Sequence, residues 1–269
     1  MGGKRSVSHE AALDRLKLGG FATSRSLSRP LASAPLDAYH AEVEGPLQAQ
    51  TGEKVGEAGT VTISTYDEET MRFYADEAPV YAASGPQGAS RHLSAFLDRL
   101  EPGSRILELG CGGGRDSEFM IQRGFDVQPS DGSAEIARKA EERLHREVRV
   151  MRFDELNDEE KFDAVWAHAS LLHVPISGLQ IVLHLIWRAL RPGGLHSASF
   201  KSGENKGRDQ FGRYFNYLDL SELLTLYQAS ARWEVVTTEE YLGGGYGRSE
   251  GPWVVVTVRK PETARITDL

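Results

Sequence analysis

Residues 105–116 read Arg105-Ile106-Leu107-Glu108-Leu109-Gly110-Cys111-Gly112-Gly113-Gly114-Arg115-Asp116. Ile106, Leu107 and Leu109 predict a short buried strand, with Glu108 near its C-terminal end. Gly110, Gly112, Gly113 and Gly114 predict a loop almost free of side chains, where the backbone turns with φ > 0 and a ligand can come close. Phe119, Met120 and Ile121 then carry a helix pattern, and the open N–H groups at a helix start favour a negative group. Strand, glycine turn and helix N-terminus in series predict a nucleotide-type cradle.

The spacing of the glycines discriminates between cofactors. A dinucleotide fingerprint needs G-x-G-x-x-G, or Ala at the end. Here Gly110-x-Gly112-x-x is followed by Arg115, so the last position fails. The pattern is instead Glu108-x-Gly110-x-Gly112-x-Gly114. It resembles the first motif of the class I S-adenosylmethionine-dependent methyltransferases, and within them the type 11 or tellurite-resistance-like group that modifies small molecules. The resemblance runs over about residues 65–260. The cofactor it implies is S-adenosyl-L-methionine, with S-adenosyl-L-homocysteine as product.

Downstream, strand and helix patterns alternate. Strands are predicted over 105–109, 125–130, 147–151, 162–167, 194–200, 233–241 and 252–259, and helices over 114–123, 133–145, 176–190 and 219–229. Alternation of this kind predicts an α/β fold, a doubly wound, mostly parallel sheet with helices on both faces. No helical pattern separates the last two strands, only Gly243-Gly244-Gly245-Tyr246-Gly247, so they are expected to form a C-terminal antiparallel hairpin. Seven strands with a terminal hairpin is also what the resemblance implies.

Upstream, residues 67–82 and 88–100 are each predicted helical, from Met71, Tyr74, Ala75 and Ala78 in the first and Leu93, Phe96, Leu97 and Leu100 in the second. Many small-molecule methyltransferases close the cofactor site with an N-terminal helix. Tyr66, Tyr74 and Tyr81 either line such a lid or pack the helix onto the sheet. The expected organisation is a loose or disordered extension over 1–60, lid helices over 61–104 and the cofactor-binding core over 105–269.

Composition narrows the partners. The chain has 269 residues, 40% hydrophobic, with a formal net charge of −8, which argues against a nucleic-acid-binding surface. Cys111 is the only cysteine, so an intrachain disulfide and a cysteine metal cluster are excluded; no metal is expected. No apolar run approaches the ~18–20 residues that span a bilayer. Residues 1–36 are Arg- and Ser-rich without an apolar signal core. They fit a tail better than a transit peptide or the loose Met1-Gly2…Ser6 myristoylation pattern. The expected location is the cytoplasm.

Ligands of open α/β sheets sit beyond the carboxyl ends of the strands. At the second strand end, Asp131 either caps the following helix or accepts the two hydroxyls of an adenosine ribose. The resemblance favours the ribose. It also assigns Asp154 and Leu156, after the third strand, to the adenine. With these, the expected cofactor residues are Glu108, Gly110, Cys111, Gly112, Gly114, Asp131, Gly132, Ser133, Asp154, Leu156 and Ala167. After the fourth strand, His173 and more weakly His168 are the candidate bases, with a structural role for His173 equally open. Tyr74, Arg208, Arg213 and Tyr217 are the candidates for holding the acceptor, the cations suiting an anionic one; a plain surface loop over 202–217 is the other reading.

The expected reaction is methyl transfer to a small-molecule acceptor by in-line displacement. The alternatives are a regulatory protein that binds the cofactor without turnover, or an NAD-dependent oxidoreductase, against which Arg115 speaks.

Overall fold

The computed structural model describes residues 63–84, 88–203 and 207–262, without the side chains of 248 and 249. The expectation for residues 1–60 lies outside them.

Seven strands form the main sheet: β1 (Arg105–Leu109), β2 (Asp126–Asp131), β3 (Arg149–Val150), β4 (Phe162–Ala167), β5 (Leu190–Lys201), β8 (Glu234–Gly245) and β9 (Arg248–Arg259). Their order is β3-β2-β1-β4-β5-β9-β8. β1 to β5 run parallel, and β9 joins β5 antiparallel. β8 pairs antiparallel with β9 and forms the edge. The expected α/β fold with its C-terminal hairpin is therefore present.

Both faces of the sheet are buried, as parallel strands require. Successive side chains alternate faces. Leu107, Leu109, Val165 and Ala167 enter one core, under α6 (Ile176–Ala189) and α7 (Leu220–Ser230). Ile106, Ala164 and Trp166 enter the other, with Met120 of α4 (Arg115–Gln122) and with Leu93, Phe96 and Leu97 of α3 (Leu93–Leu97). Each large apolar side chain so buried stabilises the fold by about 1.5–3 kcal/mol. The remaining helix of the core, α5 (Ala134–Leu144), follows β2.

Four expectations are corrected. The helix over 67–82 is broken at Glu77 into α1 (Glu68–Asp76) and α2 (Ala78–Ala83). Pro79 has no N–H to continue the ladder and its ring crowds the preceding turn. The helix over 88–100 shrinks to α3, because Asp116 takes the Ser90 N–H at 2.8 Å and holds that segment out of a helix. The third strand is only two residues long, since Glu141 captures the Val148 N–H at 3.0 Å. Finally, the segment after β5 contains a small antiparallel pair, β6 (Gly207–Arg208) with β7 (Tyr214–Phe215).

Candidate active site

At the carboxyl ends of β1, β2 and β4 lies a pocket of about 680 Å³, its open mouth included. Its floor is the glycine loop. Gly110 and Gly112 have φ of 72° and 55°, where a side chain is strained. A β-carbon on Gly110 would stand 2.5 Å from the Ser170 β-carbon, and one on Gly112 would stand 3.4 Å from the Tyr81 ring. The bare backbone is thus what lets Ser170 and Tyr81 pack against the loop along the pocket wall.

Asp131 forms the adjoining wall. Its carboxylate accepts the Gly112 N–H at 3.0 Å and the Ser133 N–H at 3.0 Å. The α5 cap is Ser133, whose hydroxyl accepts the Ile136 N–H at 3.2 Å. Asp131 is therefore not the cap, and its carboxylate lines the pocket beside Gly132. Burial pushes the Asp131 carboxyl up to about 6, against the opposing pull of the Ser133, Gly112 and Gly132 N–H groups.

Helices α1 and α2 form the roof, with Thr70, Met71 and Tyr74 from the first and Tyr81 from the second. Thr70 is held by Asp67, which caps α1 and accepts the Thr70 N–H at 2.9 Å. The far wall is the turn Leu171–His173 with Ala169 and Ser170. Ser170 is fixed by donating to the Leu109 carbonyl at 2.8 Å.

Where roof and far wall meet, Tyr74 Oη lies 2.8 Å from His173 Nε2. His173 Nδ1 lies 2.7 Å from the Tyr214 carbonyl, which can only accept. Nδ1 therefore carries the ring proton, and Nε2 accepts from the Tyr74 hydroxyl. Burial drives the His173 imidazole down to about 4, although the Tyr214 carbonyl opposes this, so the ring is neutral. Burial also raises the Tyr74 phenol well above its ordinary value.

Of the sequence-predicted residues, the pocket brings together Gly110, Gly112, Asp131, Gly132, Tyr74 and His173. The others stand elsewhere. Glu108 is buried behind the loop, accepting from the Ser117 hydroxyl, and burial with the nearby Asp116 charge raises its carboxyl. Cys111 packs with Ala137, Ala140 and Val148 under the loop. Gly114 begins α4 and Ser133 caps α5. Leu156 and Ala167 are core side chains. Asp154 is engaged by Arg152 Nε at 3.0 Å and by the Thr65 hydroxyl at 2.8 Å. It is Thr65 and Arg152 that line the pocket.

The acceptor candidates are corrected more deeply. His168 lies outside the pocket, stacked between Trp166 and Trp253 at 5.7 and 6.4 Å. Ser199 Oγ accepts the Ala169 N–H and lies 3.0 Å from His168 Nδ1. Arg208 points outward into Asp67 and Glu69. Arg213 is 2% exposed and committed to Asp209, so it cannot meet an anionic acceptor directly. Tyr217 faces a second cavity, beside Lys201 and Trp253. Met71, Ile136, Arg152, Phe153 and Ser170 line the pocket without having been singled out, since each reads as an ordinary helix, strand-end or loop residue.

Residues 106–194 match the methyltransferase domain family. The ubiquinone biosynthesis O-methyltransferase of Alkalilimnicola ehrlichii is 38% identical over 110 residues, which are 38% of this chain and 43% of that protein. The chain thus spans less than half the length of this curated relative. Among solved structures, the CcbJ methyltransferase from Streptomyces caelestis superposes with a TM-score of 0.58 at 16% identity, over 72% of this chain and 100% of that one. The Burkholderia thailandensis 1,6-didemethyltoxoflavin-N1-methyltransferase, solved with 1,6-didemethyltoxoflavin and S-adenosylhomocysteine, gives 0.54 at 24% identity, over 64% and 78%.

Proposed function

We propose that this chain, a class I S-adenosylmethionine-dependent methyltransferase by its fold and its matched domain, methylates a small-molecule acceptor. One observation carries the reading. A bare glycine loop with a buried carboxylate and a neutral Tyr–His pair face each other across a single pocket.

The residues present fit the cofactor. Gly110 and Gly112 line the pocket with backbone alone, and Asp131 presents a carboxylate to a ribose diol. Gly132, Ile136, Arg152 and Phe153 form the side suited to the adenine, in place of the expected Asp154 and Leu156 side chains. When bound, S-adenosylmethionine supplies a methyl group activated on a sulfonium. The chain's part is alignment and exclusion of water, which α1 and α2 perform by roofing the pocket.

Tyr74 and His173 are assigned to the acceptor. The neutral imidazole supplies a lone pair at Nε2, and the Tyr74 hydroxyl stands between that lone pair and the pocket. The name of the Alkalilimnicola relative supports an oxygen atom as the methylated site. The acidic net charge supports a small molecule over a nucleic acid.

Calorimetry with S-adenosylhomocysteine, followed by an acceptor screen reading its release from S-adenosylmethionine, tests the proposal. Binding with release above the acceptor-free rate is expected. Absence of binding at millimolar ligand overturns it, and binding without release for any acceptor favours the regulatory alternative.

A further inference from the structure

Arg213 is the most enclosed cation of this region, and none of its bonds reaches the pocket directly. Its Nε and Nη2 donate to Asp209 at 3.0 and 2.8 Å, and Nη2 also donates to the Tyr246 carbonyl at 2.9 Å. Phe73, Phe211, Phe215 and Tyr246 surround the guanidinium with ring centroids 4.8–5.5 Å away. The remaining nitrogen, Nη1, donates to Tyr74 Oη at 3.4 Å. Tyr74 therefore accepts from Arg213 while it donates to His173.

We infer that Arg213 is a positioning residue for proton removal: it sets the Tyr74 hydroxyl so that Tyr74, backed by His173, takes the proton of a phenol-type acceptor. This rests on the methyl-transfer reading above. Arg213 and His173 leave the Tyr74 oxygen one acceptor site, on the pocket wall beside the Tyr81 hydroxyl, which an acceptor would displace there. The acceptor O–H breaks as a new O–H forms on Tyr74. The original Tyr74 O–H breaks as an N–H forms on His173 Nε2. Tyr74 stays neutral, His173 becomes an imidazolium, and the electron pair stays on the acceptor oxygen for attack on the methyl carbon.

The acceptor class follows from where the proton ends. His173 is a weak base, so among hydroxyl acceptors only an acidic one can yield its proton to the relay; a phenol meets that need, whereas an aliphatic alcohol is far too weak an acid. The charge of Arg213 favours negative charge building on the Tyr74 oxygen during the relay, while burial and, secondarily, Arg213 disfavour the imidazolium, so Arg213 acts by orienting the hydroxyl and not by strengthening the base. The other charged or titratable groups acting on this pair are Tyr81 and Asp131 toward Tyr74, and Asp209 and Asp67 toward His173.

The test uses the full chain. Arg213→Met alone would strand the buried Asp209 carboxylate, so it is combined with Asp209→Asn; Arg213→Lys and Tyr74→Phe accompany it. The first readout needs neither cofactor nor acceptor: the 15N resonance of His173 Nε2. It should carry the signature of an accepted hydrogen bond in the wild type, keep most of it in Arg213→Lys, and lose it in Tyr74→Phe and in the double variant. The second uses catechol and 4-nitrocatechol as probes, the latter largely ionised at mildly alkaline pH. Turnover of catechol should fall about 10²-fold or more in the double variant, and that of 4-nitrocatechol far less. An unchanged His173 signature in the double variant, or equal losses for both probes, overturns the role of Arg213. If neither probe is methylated while S-adenosylhomocysteine binds, the phenolic class is wrong, and the 15N signature alone decides the positioning role. If S-adenosylhomocysteine does not bind, the methyl-transfer reading itself fails.

Discussion

Asp67 and Arg208, 141 residues apart, form a two-pronged ion pair, with Arg208 Nη1 and Nη2 at 2.9 and 2.7 Å from the carboxylate oxygens. The same carboxylate caps α1. The start of the pocket's roof is therefore fastened to β6. Burial pushes the Asp67 carboxyl up, but the bonds from Arg208 and Thr70 outweigh it and hold it below its ordinary value of 3.8. A depressed carboxyl stabilises above its unfolded pKa and ceases to do so as pH falls through its folded one. The fastening is whole at neutral pH and fails only in acid.

Arg208→Gln should consequently loosen the roof with little cost to the fold. The Arg208 side chain is 42% exposed, so the stability loss should stay below about 1 kcal/mol. Dissociation of S-adenosylhomocysteine should accelerate by up to about fivefold, and added salt should mimic the change in the wild type. Stopped-flow release measures this; an unaltered off-rate would show that the pair does not hold the roof.

Asp131 gives a pH signature of the opposite sign. A carboxyl raised from 3.8 to about 6 stabilises the fold below 3.8 and loses that contribution as pH rises through 6. The ligand-free protein should thus sacrifice up to about 3 kcal/mol across that interval, and Asp131→Asn should remove the dependence. Affinity for S-adenosylhomocysteine should rise with pH to about 6 and then level off, because only the ionised group accepts both ribose hydroxyls. Asp131→Asn should flatten that profile and weaken binding about 10–100-fold. Calorimetry at pH 5, 6 and 7 distinguishes these outcomes.

Gly110→Ala should damage both fold and site. The added β-carbon meets Ser170 at 2.5 Å in a left-handed backbone conformation. Overpacking and backbone strain together predict a loss of about 2–4 kcal/mol. Thermal melts with and without S-adenosylhomocysteine check it; a melting temperature within a degree or so of wild type would contradict the geometry.

Three imidazoles predict acid sensitivity of the fold. Burial drives His168, His173 and His196 each down to about 4. A lowered base stabilises above its unfolded value of 6.5, and that stabilisation drains away as pH falls toward 4. His196 donates to the Val165 carbonyl and accepts from Tyr227, a pattern that a neutral glutamine side chain can partly copy. His196→Gln should lower stability at pH 7 but reduce the slope of stability between pH 6.5 and 4 by about 1.4 kcal/mol per pH unit, one proton's share. Urea denaturation across that range reads the slope directly.

Legibility in the sequence followed the range of the interactions. The glycine loop was readable because a bare, left-handed turn demands glycine locally, and Asp131 because it ends a strand one turn before a helix. The side chains of Asp154, Leu156 and Ala167 were expected at the right end of the sheet but on the wrong side of the chain. A short turn or a strand end does not reveal which of two faces meets the pocket. Long-range pairs left no local trace. Tyr74 and His173 meet across 99 residues, and Asp116 removes a helix by reaching Ser90. Arg213 looked available because a loop rich in charge hides the partner, here Asp209 four positions earlier.

The outer edge of β8 has one further consequence. No described strand lies beyond it, and Val235 and Leu242 are exposed there at 48 and 65%. Such an edge is a template on which another strand can build. Glu234, Glu239 and Glu240 stand along the same strand, so two copies approaching edge to edge bring like charges together. Neutralising them would remove that repulsion along a sheet edge to which no pocket-lining residue belongs.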